Sequence, residues 1–294
     1  MTPEVSIILV NYNATQLTCD CIASIYKQVQ SCTPEIIVVD NASSTPIQAI
    51  RELYPEVMVI ELEKNVGFGS ANNIGAKRAT GEYVFFLNTD TILNNDPFPF
   101  FITHMKENPE VGITGTYLKD AEGKYIRSGG HPYSMRKYIR LALNRYIHRP
   151  TKPEVTYGST SERVGYVLGA DIFMRREAFM LSGGFDERIF MYFEDVELCR
   201  RMQQQLHMQC HLISGPDITH LEGGSTTSSF SRVHNTASMI YCFKKEFPAL
   251  QVLGFQIVYF VLKLPVIFDK RYSFAEHKEY LGSIFNYKKH LNKI

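Results

Sequence analysis

Val5-Ser-Ile-Ile-Leu-Val10 is a short β-branched run that stops at Asn11-Tyr12-Asn13, and residues 15 to 30 then carry helix-compatible spacing. The same order of strand, polar loop and helix repeats downstream. Glu35-Ile-Ile-Val-Val39 is a second strand, stopped by the turn formers Asp40-Asn-Ala-Ser-Ser-Thr-Pro46, which lead into a helix near 46–54. A third strand is expected at 57–62, with a loop at 63–69 and a helix from about 70 to 79, and a fourth over Tyr83–Leu87 ends at Asn88-Thr89-Asp90. None of these strands alternates in polarity, so each is buried on two faces. That pattern predicts an α/β fold with a mostly parallel sheet covered by helices on both sides.

In such sheets ligands bind beyond the carboxyl ends of the strands. The polar residues gather at those ends: Asn11 and Asn13, Asp40 and Asn41, Asn65, and Asn88 with Asp90. Asn and Asp also cap helices and form turns, so the series of ends, rather than any one residue, points to a site. Asp90 is placed to hold a divalent ion, because Mg²⁺ or Mn²⁺ takes one or two protein carboxylates and fills its remaining positions with water and phosphate oxygens. Asp40 can accept hydrogen bonds from a base or ribose, and the asparagines offer both donors and acceptors.

The chain has 294 residues with 45% hydrophobic and 21% charged side chains, which fits one large α/β domain, or one of about 200 to 250 residues plus an appendage, and excludes a disordered or disulfide-stapled chain. Lys plus Arg number 31 against 30 Asp plus Glu, so overall charge gives no reason to expect nucleic acid as a partner. Six cysteines form no CxxC pair, and the simplest reading is a reducing cytoplasm. His207, Cys210 and His211 lack a second ligand pair for zinc.

The second half is less regular. Residues 124 to 152 hold eight Lys or Arg and no Asp or Glu, with apolar positions between them. This basic stretch suits an anionic membrane surface or acceptor phosphates, or else is a solvated helix face. In the most hydrophobic window, 252–268, Gln256, Lys263 and Pro265 interrupt the run. A helix packed on the domain is expected there, with shallow membrane contact as the alternative and no bilayer span. Glu194 and Asp195 fall at a helix start, where the dipole stabilises carboxylates. The alternative reading is a general base enclosed by Phe190, Tyr192 and Phe193.

Taken together, Val5–Asn13, Val38-Val-Asp-Asn-Ala-Ser-Ser44, Asn65-Val-Gly-Phe-Gly-Ser-Ala-Asn-Asn-Ile-Gly75, Leu87-Asn-Thr-Asp90, Gly183-Gly-Phe-Asp-Glu187 and Phe193-Glu-Asp-Val-Glu-Leu-Cys-Arg200 resemble family 2 glycosyltransferases. The resemblance runs from about residue 4 to 225 and is greatest to the bacterial rhamnosyltransferase-like group. It implies a GT-A fold, a nucleotide-sugar donor (dTDP-rhamnose or a UDP-sugar), a divalent cation (Mg²⁺ or Mn²⁺), and inverting transfer to a glycan or lipid-linked acceptor in cell-surface polysaccharide synthesis. By position it also implies that Asp40 contacts the nucleobase and that Asn11, Asn13, Asn41, Asn65, Phe68, Asn72 and Asn88 line the nucleotide site. Asp90 becomes the metal carboxylate of a DXD-type motif, with His220 a further metal or diphosphate contact. Asn88 stands where that motif has its first acid. Asp195 becomes the catalytic base, with Glu194 as its positioning partner, and Gly169-Ala170-Asp171 borders the sugar and acceptor.

The expected organisation is a GT-A domain over 1–225, with a nucleotide half at 1–95 and an acceptor half at 96–225, followed by a helical extension over 226–294. The protein is expected in the cytoplasm, with peripheral contact at the inner membrane face through 124–152 or 252–268. Two other readings compete. Gly67-Phe-Gly-Ser-Ala-Asn72 approaches a dinucleotide fingerprint but lacks its third glycine and follows the third strand rather than the first. An inactive sugar-nucleotide-binding or scaffold paralogue is the non-enzymatic alternative, against which both Asp90 and Asp195 stand.

Overall fold

The computed structural model describes residues 3–147, 154–221 and 228–292. Along the chain run β1 (Val5–Asn11), α1 (Thr15–Gln28), β2 (Glu35–Asp40), α2 (Gln48–Leu53), β3 (Met58–Glu61), α3 (Phe68–Ala76), β4 (Tyr83–Leu87), β5 (Thr91–Leu93), α4 (Phe98–Glu107), β6 (Val111–Thr116) and β7 (Gly129–Gly130). There follow α5 (Met135–Ile147), β8 (Ser161–Val164), β9 (Tyr166–Val167), β10 (Asp171–Arg175), α6 (Arg176–Leu181), α7 (Glu194–Gln205), β11 (Gln209–Ile213) and β12 (Ile218–His220). The last elements are α8 (Ser228–Glu246), α9 (Ala249–Lys263) and α10 (Phe274–Ser283).

By its contacts the chain forms two compact units: Met1–Pro132 with Glu154–Asp186 and Asp195–Ser225, and Tyr133–Pro153 with Glu187–Glu194 and Thr226–Ile294. In the first unit β3, β2, β1 and β4 are parallel neighbours, as expected, but only β2, β1 and β4 are buried on two faces; β3 is the sheet edge, with Met58 and Glu61 exposed. β4 shows the physical reason. Phe85 packs on one face against Phe98, Phe101 and Phe173, while Phe86 packs on the other against Phe179 and Phe185, and both are fully buried. A polar residue at either position would forfeit roughly 1.5–3 kcal/mol of burial.

The sheet continues beyond β4 through β10, β6, β11 and β8 to eight strands, with β10 and β8 antiparallel to their neighbours. The register sets Asp171, at the start of β10, opposite Leu87 at the end of β4. Outside this sheet β5 and β12 pair antiparallel, with Thr91 opposite His220. Close approach of α3 to the sheet requires Gly75, whose added Cβ would stand 2.6 Å from a methyl of Ile8.

The second unit is helical. Phe243 packs on Phe255, and Phe255 on Tyr259, at ring centroid distances of 5.0 and 5.2 Å. Ser273 and Glu276 form a reciprocal capping box at the start of α10. Tyr192 and Phe193 hold left-handed backbone conformations, φ 64° and 75°, which are strained for side chains of this size. Phe193 is held against Tyr133, centroids 5.2 Å apart, and the Tyr192 hydroxyl meets Ser231 Oγ at 2.7 Å. Phe190 packs on Phe230. The rings expected to enclose a base thus have these partners in the helical unit.

The basic stretch at 124–152 is not one element. Lys124 and Arg127 belong to the first unit and Arg136, Lys137 and Arg140 to α5 of the second, while Arg149 and Lys152 lie outside the described residues. In the hydrophobic window α9 is packed through Val252, Phe255 and Tyr259. Ala249–Phe268 is long and apolar enough to cross a membrane by length and composition, with mean hydropathy 1.8, and only 28% of it is buried.

Candidate active site

The expected site residues fall in four groups of side chains in the first unit. At the ends of β1 and β2, the fully buried Asn11 donates from Nδ2 to Asp40 Oδ1 at 2.7 Å and to Ser43 Oγ at 3.1 Å, while Thr18 Oγ1 donates to Asn11 Oδ1 at 2.9 Å. Asp40 also accepts from Ser43 Oγ at 2.6 Å and Ser43 N at 3.1 Å. Its carboxylate is therefore already charge-solvated by the chain. Asn13, in the left-handed region with φ 54°, accepts from Ser44 N and Oγ at 2.7 and 2.9 Å, tying the β1 loop to the β2 loop.

The second group organises the loop before α3. Asn41 donates to Asn65 Oδ1 at 2.9 Å and accepts from Val66 N at 2.9 Å, and Asn65 Oδ1 also accepts from Gly67 N. Asn72 turns back on its own helix and donates to the Phe68 carbonyl at 3.1 Å. Its neighbour Asn73 reaches across 112 residues, donating to the Phe185 carbonyl and accepting from Phe185 N at 2.9 and 2.8 Å. The Gly183-Gly184 turn at that point has φ of 83° and 73° at its two glycines, and a Cβ on Gly184 would meet Asn73 Oδ1 at 2.6 Å. Arg201 donates to the Gly184 carbonyl at 2.7 Å and pairs with Glu197 at 2.6 Å, so α7 is latched to the same turn.

The third group surrounds Asp195. Gly169 N donates to Asp195 Oδ2 at 2.9 Å and Val196 N to Oδ1 at 2.7 Å. An atom at the Gly169 Cβ position would sit 3.6 Å from both Asp195 Oδ2 and the Phe68 ring, so Phe68, Gly169 and Asp195 come together. One residue on, the Ala170 carbonyl accepts from Asn88 N at 2.9 Å. The strand end carrying Asn88 and Asp90 and the start of α7 therefore meet at the turn Gly169-Ala170. Burial pushes the Asp195 carboxyl above the usual carboxylate range, opposed by the two backbone N–H groups and by the Arg127 guanidinium. Arg127 is fixed by its Nε donating to the Tyr166 hydroxyl at 2.9 Å and lies 5.5 Å from that ring's centre.

The fourth group is Asp90 with His220. Pairing of β5 with β12 closes the 130-residue separation between them, and His220 Nε2 lies 3.2 Å from Asp90 Oδ1. Neighbouring ligands on an octahedral ion with ~2.1 Å bonds stand ~3.0 Å apart, so this pair fits two adjacent positions of Mg²⁺ or Mn²⁺. Nδ1 of His220 is buried and has no hydrogen-bond partner among the described residues. No group of three or more His, Cys, Asp or Glu side chains gathers among the described residues, so diphosphate oxygens and water would supply the rest of the shell.

Two further expected site residues are buried carboxyls. Asp171 is fully buried, accepts from Thr116 N at 2.6 Å, and burial holds its carboxyl well above the usual range. Glu194 is buried and belongs to the second unit. Arg127 is a residue whose place the sequence did not reveal, and Asn73, expected with Asn72 among the donor and acceptor amides, is taken up by the Phe185 backbone.

The large sheet with helices on both faces has the GT-A glycosyltransferase fold. The crystal structure of S. aureus TarS 1–349 in complex with UDP shares the fold at TM-score 0.55 and 20% identity, over 92% of this chain and 73% of that one. GalNAc-T7 with UDP, GalNAc and Mn²⁺ shares it at 0.58 and 18%, over 83% and 48%. Residues 6–171 match the model of glycosyl transferase family 2, and the chain belongs to that family. Among its relatives are the N-acetylglucosaminyl-diphospho-decaprenol L-rhamnosyltransferase of Mycobacterium tuberculosis, 27% identical over 70% of this chain and 73% of that protein, and rhamnosyltransferase WbbL of Escherichia coli K12, 28% identical over 67% and 76%. The O-antigen biosynthesis protein RfbC of Myxococcus xanthus is 28% identical over 69% of this chain, which spans 16% of that protein.

Proposed function

We propose that this protein moves a sugar, rhamnose from dTDP-rhamnose or a sugar from a UDP donor, to a hydroxyl of a glycan or lipid-linked acceptor, inverting the anomeric centre. We take the process to be cell-surface polysaccharide synthesis, run from the cytoplasm at the inner membrane face. The observation that carries the reading is the double tie at Gly169-Ala170, which bonds to Asp195 on one side and to the strand end leading to Asp90 on the other. The names of the rhamnosyltransferase relatives support the donor, and the decaprenol-linked substrate in one of those names supports the acceptor.

In this reading Asp195 takes the proton of the acceptor hydroxyl as it attacks, because an alcohol is a poor nucleophile at neutral pH. Attack from the face opposite the leaving diphosphate inverts the centre in one displacement. Its raised proton affinity suits Asp195 to that role, and the Gly169 and Val196 N–H groups keep the carboxylate aimed. Asp90 and His220 would hold the divalent cation, which supplies positive charge to the departing nucleoside diphosphate. The asparagines around Asp40 and Asn65 hold the nucleoside loops in shape.

Melting curves with dTDP-rhamnose, UDP-sugars and their diphosphates, each with Mg²⁺ or Mn²⁺, test the reading. A donor at about 100 times its Kd should add about 2.7 kcal/mol. Absence of stabilisation by every nucleotide would sink it, and binding without donor turnover or hydrolysis would favour a sugar-nucleotide-binding scaffold. The base makes a second prediction. Since Asp195 acts deprotonated and its pKa is raised, activity should fall on acidification at a pH above the ordinary carboxylate range. Arg127→Gln removes a charge that lowers that pKa, so the acid limb of kcat/KM should move to higher pH, while Arg127→Lys should largely restore it. An unmoved limb would separate Arg127 from the base.

A further inference from the structure

The outward face of α9 and the 3-10 turn that follows it is apolar. Leu250, Leu253, Ile257, Val261, Leu264 and Phe268 are all exposed, Leu250 by 81%, Val261 by 56% and Phe268 by 79%. Their spacing follows helical periodicity, and the stripe runs about 27 Å at the α-helical rise. A helix face in water normally carries charge, yet Ala249–Phe268 contains no Asp or Glu and a single Lys. The opposite face is fixed within its own unit: Val252, Phe255 and Tyr259 are buried, and the buried Gln256 amide donates to the Ile284 carbonyl. The helix is therefore held on one side and apolar on the other.

The elements next to this stripe carry exposed basic residues. α5 packs along α9, contains no acidic residue, and exposes Arg136, Arg140 and Leu143 at a four- then three-residue spacing. Beyond the turn, Lys270 and Phe274 are exposed, and Arg271 is paired with Asp269 at 2.7 Å. We propose that this face of α9 lies in the boundary between headgroups and acyl chains of an anionic bilayer, parallel to the membrane plane, with the arginines of α5 and Lys270 at lipid phosphates. Charge favours an anionic lipid surface over a second copy of the chain, because both copies would bring the same basic α5 to the contact. The packed inner face, with Gln256 in it, favours a helix lying on the membrane over one crossing it.

The test is co-sedimentation of the full chain with vesicles of phosphatidylglycerol and phosphatidylethanolamine, beside vesicles of phosphatidylcholine alone. Binding should be at least about ten-fold stronger to the anionic vesicles and should weaken as salt rises. The triple variant Leu253→Gln, Ile257→Gln, Val261→Gln, whose sites are exposed, should keep its melting temperature and lose at least about ten-fold in vesicle affinity. Arg136→Glu with Arg140→Glu should abolish the anionic preference. Equal binding by the triple variant, or no vesicle binding by the natural chain, overturns the proposal. So does retention through carbonate extraction, which marks a spanning helix, or a dimer in sedimentation equilibrium that the triple variant dissolves. Vesicle binding needs neither donor nor turnover, so its failure would leave sugar transfer untouched.

Discussion

Asp195→Asn is expected to lower turnover by about 10³-fold while leaving donor affinity within a few fold. The amide keeps the size of the carboxylate, and its oxygen can still accept from Gly169 N at the cost of the bond from Val196 N, so the turn that ties α7 to the end of β4 should survive. What it cannot do is take a proton. Calorimetric titration with donor and a turnover assay on the same preparation read the two effects separately. Full turnover by the Asn variant would remove Asp195 from the reaction, and loss of donor affinity in step with turnover would make it a binding residue instead.

Asp90→Ala should cost at least about 100-fold in donor affinity when Mn²⁺ is present, and little when a chelator is present. Pairing of β5 with β12 brings His220 to within 3.2 Å of Asp90. An imidazole alone is a poor partner for a hard cation, so the carboxylate carries most of the grip. Titrations with and without Mn²⁺ decide the matter. If the variant keeps the full metal-dependent gain, the cation is held elsewhere or is not used. His220→Ala should show a smaller loss of the same kind, since Asp90 remains.

The parallel half of the sheet was legible because its strands announce themselves. β1, β2 and β4 are mostly apolar runs without alternation, β1 and β2 ending in Asn11 and Asp40 and β4 followed by Asn88, and burial on two faces accounts for such runs. The far half was not. β6 carries two glycines and two threonines, and the edge strand β8 is Ser-Glu-Arg-Val, so neither shows a hydrophobic period, and tertiary pairing alone makes them strands. At the site, the strand-end polar residues were visible as a group, whereas their individual bonds were not. Asp40 looked like a free acceptor, yet it is engaged by Asn11 and Ser43, a relation set by the register of β1 against β2. Arg127 read as one cation of a basic stretch, because its partner Tyr166 lies 39 residues away and nothing local marks the pair. Asn73 offered a weak signal, an amide on a helix face crowded with small residues, but its bond to Phe185 depends on a turn that periodicity does not predict.

That last bond limits how such enzymes can be recombined. A chimera meant to exchange donor preference would naturally be cut after β4, keeping α3 from one parent and the Gly183-Gly184 turn from another. Asn73 would then face a turn it did not evolve with, and any side chain larger than hydrogen at position 184 would collide with it. Residues 68–76 and 182–186 should therefore be inherited as one block, with Glu197 and Arg201 carried along to hold the turn from the other side.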